Sequence, residues 1–139
     1  DKLSSIKALG CDHTIKSATP NDMVAAIRDV GTPDAALNHL AGEYASVASQ
    51  TMRRGGTQVV CGRTAGEKLS IDAAPFFLHH QTVVGSTMGT QPELERLVAF
   101  VDRDELSPVV EKTYALSETA QAFRDMTDRE MVGKLVVTV

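Results

Sequence analysis

Short strand-like runs alternate with helical patterns along almost the whole chain, and this alternation constrains the fold more than any other feature. Parallel strands need a connection of about a dozen residues or more, which is usually a helix. The alternation therefore predicts the α/β class with a parallel sheet. The predicted strands are, in chain order, DHTI, DAALNH, TQVVCG, QTVVGS, SPVVEKTYAL and GKLVVTV.

Two of the helical patterns begin with clear capping signals. Thr19 stands directly before a proline and three residues before Asp22, as at the N-terminus of a helix. Thr90 and Glu93 have the spacing of a capping box. The segment around Pro75 is predicted to be a loop with one short helix, because proline interrupts a longer one. The helix that follows Thr90 is predicted to bury an apolar face made of Leu94, Leu97, Val98 and Val101.

Composition narrows the range of partners and compartments. The 139 residues are 42% hydrophobic and 23% charged, which suits a globular domain with a modest core. A formal net charge of -4 offers no basic excess for phosphates, so neither a nucleic acid nor an anionic membrane surface is an expected partner. Cys11 and Cys61 cannot form a disulfide framework, and no apolar run approaches about 18 residues. These features favour a cytoplasmic protein.

The turn GSTMGT, residues 85–90, follows a predicted strand almost without a linker. In open parallel sheets, ligands bind beyond the carboxyl ends of the strands, where backbone N–H groups are free. Small side chains let a flat ligand approach the backbone of such a turn. The turn is therefore predicted to be part of a ligand site.

Six segments of the chain are informative through their order and spacing: KALGCDHTI, PDAALNHLAGE, RRGGTQVVCGRTAG, VVGSTMGT, LSPVVEKTYALSETAQAFRDM and GKLVVTV. Together they resemble the carboxyl-terminal half of the medium-chain dehydrogenase/reductase superfamily, which includes zinc-type alcohol dehydrogenases and quinone oxidoreductases. The resemblance implies a partial Rossmann dinucleotide-binding fold over residues 1–88, without its first two strands. Residues 89–139 would be a return segment of helix, strand, helix and strand that leads toward the catalytic domain.

In that superfamily the nicotinamide lies against the ends of the fourth, fifth and sixth Rossmann strands. The resemblance implies that Ser86 and Thr87 fix the carboxamide through backbone groups, and that Lys134 either reaches the pyrophosphate or is solvated. Met88 would either pack against the nicotinamide ring or close the end of the sheet. His39 either faces the cofactor or bonds to neighbouring backbone. The implied cofactor-binding positions are Leu40, Ala41, Cys61, Gly62, Arg63, Ser86, Thr87, Met88 and Lys134.

The resemblance implies a fragment of an NAD(P)-dependent oxidoreductase that transfers a hydride between nicotinamide and an alcohol, carbonyl or quinone-like substrate. The glycine-rich phosphate turn, the ribose-reading residue and the zinc ligands would lie upstream of Asp1, which already stands inside a helical pattern. The chain alone is therefore expected to be inactive, with no catalytic residue and no metal site, although zinc is possible in the full-length parent. The alternative is a non-catalytic Rossmann-like module that binds a nucleotide or a partner.

Three further features favour ordinary structural roles. The segment GRTAGEK, residues 62–68, departs from a phosphate-binding loop in its glycine spacing and is predicted to be a surface loop. The four histidines lack the paired spacing of metal ligands. The apolar neighbours of Cys61 indicate a core residue rather than a nucleophile.

The run QTVVGS, residues 81–86, would be the sixth Rossmann strand and hence a sheet edge. Residues 82–84 contain no Lys, Pro or Gly that would blunt this edge. Relatives in the superfamily commonly dimerise through this strand, so a homodimer is predicted. The alternative is that FFLHH or the helix beginning at Pro92 covers the edge. The Rossmann order 3-2-1-4-5-6 also predicts that DHTI cannot lie beside DAALNH in this chain alone.

Overall fold

The computed structural model describes residues 2–16, 19–128 and 130–139, which form two compact units. The sheet unit spans Ile15–Met88, and the return unit spans Gly89–Val139 together with the residues before Ile15. The helices and strands are, in chain order, α1 (Lys2–Ala8), α2 (Pro20–Val30), β1 (Ala35–Asn38), α3 (Tyr44–Thr51), β2 (Thr57–Val60), α4 (Ala73–Leu78), β3 (Thr82–Gly85), α5 (Gln91–Asp102), β4 (Val110–Ala115), α6 (Thr119–Asp128) and β5 (Lys134–Thr138). None of the described helices is both long and apolar enough to span a membrane. The predicted division of roles between residues 1–88 and 89–139 stays a prediction, because compactness alone assigns no role to either part.

The sheet unit is built on one parallel sheet with the strand order β1-β2-β3. Helix α3 lies between β1 and β2 along the chain, and α4 lies between β2 and β3. The predicted α/β class and parallel sheet are therefore confirmed. The order corresponds to the fourth, fifth and sixth strands of a Rossmann sheet, without the first two strands of that fold.

The core of the sheet unit lies mainly between its helices and the sheet. The predicted start of α2 is confirmed, because the Asp22 N–H donates to the Thr19 hydroxyl at 3.2 Å. The short helix predicted near Pro75 is confirmed as α4. Apolar residues at helical spacing on α2 and α3 turn inward, as an amphipathic pattern requires. The buried hydrophobic residues of this unit are Val24, Ala41, Ala45, Val47, Ala48 and Met52.

The predicted strand DHTI, residues 12–15, is wrong, because these residues form neither helix nor strand. A strand needs a neighbour whose N–H and C=O groups complete its hydrogen-bond ladder. In the Rossmann order that neighbour is the second strand, and the described residues include no strand in that position. Among the described residues, DHTI is not paired with DAALNH, so the predicted lack of pairing between them is confirmed.

The return unit contains a parallel pair formed by β4 and β5, with α6 packed against it. Tyr114 on β4 and Ala122 on α6 are its buried residues among those described. Gly133 precedes β5 with a φ of +101°, and an added Cβ would lie 2.4 Å from the Val109 carbonyl oxygen. Only glycine allows this approach of the two backbones.

Helix α5 begins with the predicted capping box, which is confirmed. The Glu93 carboxylate accepts hydrogen bonds from the Thr90 N–H at 2.7 Å and from the Thr90 hydroxyl at 2.8 Å, and the N–H bond is the main cause of a lowered Glu93 pKa. The predicted burial of the apolar face is wrong, because Leu94, Leu97 and Val98 are each about half exposed. A helical pattern shows that a face is apolar, but burial also needs a covering surface, which the described residues do not provide.

Candidate functional site

The carboxyl ends of the three parallel strands meet at one edge of the sheet. Asn38 of β1 lies opposite Val60 of β2, and Val60 lies opposite Gly85 of β3. Three loops therefore leave the sheet side by side: the first loop (residues 39–43), the second loop (residues 61–66) and the third loop (residues 86–90). The edge is the expected ligand side of an open parallel sheet.

An open depression of about 490 Å³ lies between the second and third loops. This volume is within the range of small-molecule sites, roughly 300 to 1,000 Å³. Five of the predicted cofactor positions line it: Cys61, Gly62, Arg63, Ser86 and Thr87. The structure thus brings together residues from two separate loops, whereas their contact with a cofactor stays a prediction.

The polar groups of the third loop are divided between the sheet and the depression. The Ser86 N–H donates to the Val60 carbonyl at 2.9 Å, which extends the β2–β3 ladder past the end of β3. The Ser86 carbonyl and the Thr87 N–H have no hydrogen-bond partner among the described residues. One acceptor and one donor on adjacent residues match the two polar groups of a carboxamide. A Cβ added at Gly85 would meet only open space, so no atom fills the space beside these two polar groups at that position.

Backbone hydrogen bonds join the first loop to the second loop. The carbonyls of Asn38, His39 and Leu40 accept from the N–H groups of Cys61, Thr64 and Ala65 at 3.0, 3.3 and 2.7 Å, respectively. A Cβ added at Gly62 would lie 2.5 Å from the His39 carbonyl oxygen, so glycine is required where the two loops come closest. The His39 carbonyl also accepts the Thr64 hydroxyl at 3.0 Å. The two loops therefore form one connected platform.

A buried pair of neutral amides lies beneath this platform. The Asn38 carboxamide oxygen accepts the N–H groups of Leu40 and Ala41 at 2.9 and 3.0 Å. Its Nδ2 donates to Gln58 Oε1 at 2.8 Å, and Gln58 Nε2 donates to the Ala45 carbonyl at 3.3 Å. Sequence reasoning missed both amides. A glutamine inside the otherwise β-branched strand TQVV was the signal that could have found them.

The remaining predicted positions lie outside the depression. Leu40 and His39 line a separate apolar cavity of about 240 Å³ beside β1, and Ala41 is buried. Met88 is 95% exposed, so it does not close the end of the sheet, and packing against a ligand stays a prediction for it. Lys134 belongs to the return unit, where its N–H donates to a carbonyl of the same unit, and its contact with a pyrophosphate also stays a prediction.

Two side chains of the second loop differ in their surroundings. Arg63 forms an ion pair with Glu67, but the two side chains are 72% and 74% exposed, and such a pair contributes at most about 1 kcal/mol. Arg63 can therefore exchange this partner for an anion at low cost. The prediction that Cys61 belongs to the core is wrong, because its side chain is exposed. The strand β2 ends at Val60, so the alternation that buries strand residues no longer applies at the next position.

A charged cluster occurs in the return unit. The Tyr114 hydroxyl donates to the Asp125 carboxylate, and Lys112 Nζ lies 3.1 Å from the same oxygen and 4.5 Å from the centre of the Tyr114 ring. These bonds, with that of Tyr114 the largest and those of Gln121 and Lys112 next, lower the Asp125 pKa to about 2. The described residues contain no group of three or more His, Cys, Asp or Glu side chains placed to hold a metal ion.

Comparisons with known proteins agree with this architecture. The family model for zinc-binding dehydrogenases matches residues 9–137. An alcohol dehydrogenase from Geobacillus stearothermophilus is 32% identical over 139 residues, which cover 99% of this chain and 40% of that protein. The crystal structure of an NAD-dependent alcohol dehydrogenase matches with a TM-score of 0.80 at 26% identity, over 99% of this chain and 40% of that one. The structure of a 2-octenoyl-CoA carboxylase reductase in complex with NADP and 2-octenoyl-CoA matches with a TM-score of 0.82 at 25% identity, over 96% of this chain and 34% of that one.

The family match covers most of the chain, whereas the chain covers only a part of each relative. It spans about 40% of the length of the curated alcohol dehydrogenase that it matches. The predicted resemblance to the medium-chain dehydrogenase/reductase superfamily is confirmed by the family model and by the solved structures. The chain belongs to the zinc-binding dehydrogenase family.

Proposed function

We propose that this chain forms the nicotinamide-binding part of an NAD(P)-dependent oxidoreductase that transfers a hydride between the cofactor and an alcohol, a carbonyl or an activated alkene. The observation that carries the proposal is the open depression at the strand ends, beside the unbonded Ser86 carbonyl and Thr87 N–H. When bound, NAD(P) supplies or accepts the hydride at nicotinamide C4. The chain binds and orients the cofactor.

The residues around the depression suit this role. The Thr87 N–H would donate to the oxygen of the nicotinamide carboxamide, and the Ser86 carbonyl would accept from its NH₂ group. Gly85 presents no side chain where the ring would approach the backbone. Arg63 would leave Glu67 for a cofactor phosphate, since its present ion pair is exposed and weak.

The substrate and the catalytic residues belong to the intact protein. We propose zinc for the intact protein and not for this chain, with the zinc ligands in a part of the protein upstream of it. An alcohol dehydrogenase and a 2-octenoyl-CoA carboxylase reductase are both similar to the chain, at 32% and 25% identity. We therefore propose a small molecule with an alcohol, carbonyl or conjugated alkene group as the substrate.

The test is a titration of the intact protein with NADH and NADPH, followed by nicotinamide fluorescence. Thr87→Pro removes the N–H donor and should weaken binding about tenfold, the equivalent of one hydrogen bond, whereas Thr87→Val keeps the donor and should change binding less than about twofold. Equal binding by both variants would exclude the assigned donor. The isolated chain should show no micromolar affinity, since it contains no glycine-rich phosphate turn.

Turnover separates the enzyme from the alternative, a nucleotide-binding module without activity. The intact protein should oxidise NADH or NADPH with an aldehyde, a quinone or a 2-enoyl-CoA as acceptor, or reduce the oxidised cofactor with an alcohol. Tight cofactor binding with no turnover on any of these compounds would favour the module. No specific feature of the described residues favours a module without activity.

We also propose that the protein is a homodimer in the cytoplasm. The strand β3 is at one end of the sheet order, and Val84 at its centre is exposed, so its free edge can pair with a two-fold copy. Both cysteines are free thiols, as expected in a reducing compartment. Val83→Pro removes one N–H of the strand and should shift the intact protein toward monomer in sedimentation experiments, whereas Val83→Thr should not. An unchanged dimer in Val83→Pro would place the interface elsewhere.

A further inference from the structure

We propose that the buried amides of Asn38 and Gln58 are a positioning device for the nicotinamide site. The inference rests on the proposed function, because the first loop belongs to a cofactor site only if that function is correct. Neither side chain lines the depression at the strand ends. Both act through the backbone of Leu40 and Ala41, so they are positioning residues and do not take part in the chemistry.

The carboxamide oxygen of Asn38 sets the course of the first loop. Two consecutive N–H groups, those of Leu40 and Ala41, converge on this one atom at 2.9 and 3.0 Å. Ala41 has a φ of +57°, in the left-handed region that a residue with a side chain rarely adopts. Without the acceptor, both N–H groups lose their partner, and the backbone of this turn is then held through the Leu40 and Ala41 carbonyls, which accept the N–H groups of Ala65 and Tyr44 at 2.7 and 3.2 Å.

Gln58 determines which end of the Asn38 amide faces the loop. A carboxamide carries an acceptor oxygen and a donor NH₂ group in nearly the same shape, so it can bind in two orientations. The Ala45 carbonyl can only accept, and it takes the Gln58 Nε2 at 3.3 Å. Gln58 Oε1 is then left for the Asn38 Nδ2 at 2.8 Å. The Asn38 oxygen must therefore point at the loop. The Ala45 carbonyl of α3 thus fixes the orientation of the Asn38 amide through the Gln58 side chain.

Burial prevents water from taking the place of either amide. Gln58 is 0% exposed and Asn38 is 8% exposed. A buried polar group without a partner is costly, so a variant that lacks one amide will shift its backbone instead of becoming hydrated. The carbonyls of His39 and Leu40 accept the N–H groups of Thr64 and Ala65 at 3.3 and 2.7 Å, which connects the first loop to the second loop, one wall of the depression. A displaced first loop therefore displaces that wall.

The experiment compares two ligands in the intact protein. NAD(P)H contains the nicotinamide, whereas ADP-ribose and its 2′-phosphate have the same adenosine and pyrophosphate without it. Gln58→Met and Asn38→Ala should weaken NAD(P)H binding about tenfold or more, and should change the binding of the corresponding ADP-ribose less than about twofold. Gln81→Met is the matched control, because Gln81 is another buried amide of the sheet unit, at the opposite end of the strands. It should leave both affinities unchanged.

A double variant tests the orientation argument itself. Asn38→Asp puts an acceptor oxygen on both sides, so the loop keeps its partner whichever way the carboxyl group turns, while the second oxygen faces the Gln58 Oε1 acceptor and loses that repulsion in Gln58→Met. Gln58→Met should therefore weaken NAD(P)H binding when position 38 is Asn, and should have little additional effect when Asn38→Asp is already present. A merely structural role of Gln58 would give the same loss in both backgrounds and would overturn the proposal.

Hydrogen exchange gives a readout that does not need a cofactor. In Gln58→Met and Asn38→Ala the amides of Leu40 and Ala41 should exchange at least about tenfold faster, while those of β2 and β3 stay protected. Unchanged exchange at these two amides, or equal weakening of NAD(P)H and ADP-ribose, would overturn the positioning role. If the wild-type protein binds neither NADH nor NADPH, the proposed function fails, and exchange still decides whether the amides hold the loop. Asn38→Ala leaves the Gln58 bond to Ala45 in place, so it serves if Gln58→Met does not fold.

Discussion

In the sheet unit the central polar side chains are neutral and buried, whereas in the return unit they are charged and lie near the surface. Asn38 and Gln58 bond to each other and to backbone in the interior. Lys112 and Asp125 form an ion pair whose side chains are 54% and 29% exposed, beside the Tyr114 hydroxyl. The first arrangement holds a loop in one conformation and does not respond to pH or salt. The second fastens a helix to a strand and depends on both.

The largest expected effect is on the buried amides. Gln58→Met leaves the Asn38 Nδ2 and the Ala45 carbonyl without partners and should lower the free energy of unfolding by roughly 2 to 4 kcal/mol. Gln81→Met should cost only about 1 kcal/mol, because Gln81 Oε1 is buried with no hydrogen-bond partner among the described residues and gains from removal. Urea denaturation of the intact protein measures both values. Equal losses would mean that burial alone, and not the network, sets the cost.

In each unit, one glycine would bring an added Cβ closest to a carbonyl oxygen of another segment. In Gly62→Ala the new Cβ would lie 2.5 Å from the His39 oxygen, and in Gly133→Ala it would lie 2.4 Å from the Val109 oxygen. Each change should cost about 1 to 3 kcal/mol, with Gly133→Ala the more severe because its φ of +101° adds strain. Only Gly62→Ala should also weaken NAD(P)H binding. Gly10→Ala is a control for the strain alone, since a Cβ there meets nothing within 4 Å.

The two helix starts that carry a threonine cap differ in their bonds and in their surroundings. Thr19→Ala removes the N-cap of α2, which carries the buried Val24, and should lower the free energy of unfolding by about 1 kcal/mol. Thr90→Ala removes the hydroxyl bond to Glu93 but keeps the Thr90 N–H bond, and the apolar face of α5 is half exposed, so it should cost less than about half of that value because the helix end frays alone. Thermal unfolding of both variants, together with amide exchange in the first turns of α2 and α5, measures which substitution costs more stability. A greater loss in Thr90→Ala would show that α5 is covered in the intact protein.

The smallest effect concerns acid and should be confined to the return unit. Asp125 has a pKa lowered to about 2 from its ordinary 3.8, so its contribution to stability is present above pH 3.8 and is lost as the pH falls toward 2. Tyr114 should change its NMR signal in this window, since its hydroxyl then loses a charged acceptor, and Tyr44 of the sheet unit should serve as the internal reference. Asp125→Asn should abolish the change. A Tyr114 signal that still titrates in Asp125→Asn would assign the effect to another carboxyl group.

Local features of the chain were predictable from the sequence. The capping signals at Thr19 and Thr90 involve neighbours in the chain, and the structure has both. The alternation of runs predicted a parallel sheet, which β1, β2 and β3 form, whereas the site positions were implied by the family resemblance, and Cys61, Gly62, Arg63, Ser86 and Thr87 among them do line one depression. These features depend on short-range geometry and on the general rule for parallel sheets, so no knowledge of the packing was needed.

Features that depend on contact between distant segments were not predictable in the same way. The strand DHTI did not form because its neighbour in the sheet is absent, and the apolar face of α5 is not covered by described residues. Cys61 is exposed because β2 ends one residue before it. In each case the pattern described the segment correctly, whereas the outcome depended on what lies beside the segment.

The fold class, the order of the elements, the family and the edge of the sheet where a ligand would bind could all be inferred before the structure was known. The fold class and the order of the elements follow from periodicity and caps, the ligand edge follows from the general rule for open parallel sheets, and the family was implied by the resemblance of six ordered segments. Only the tertiary structure decided that Asn38 and Gln58, 20 residues apart, bond to each other and direct the first loop. The reason is physical: a hydrogen bond between buried amides depends on distance and direction in space, and the sequence pattern records neither.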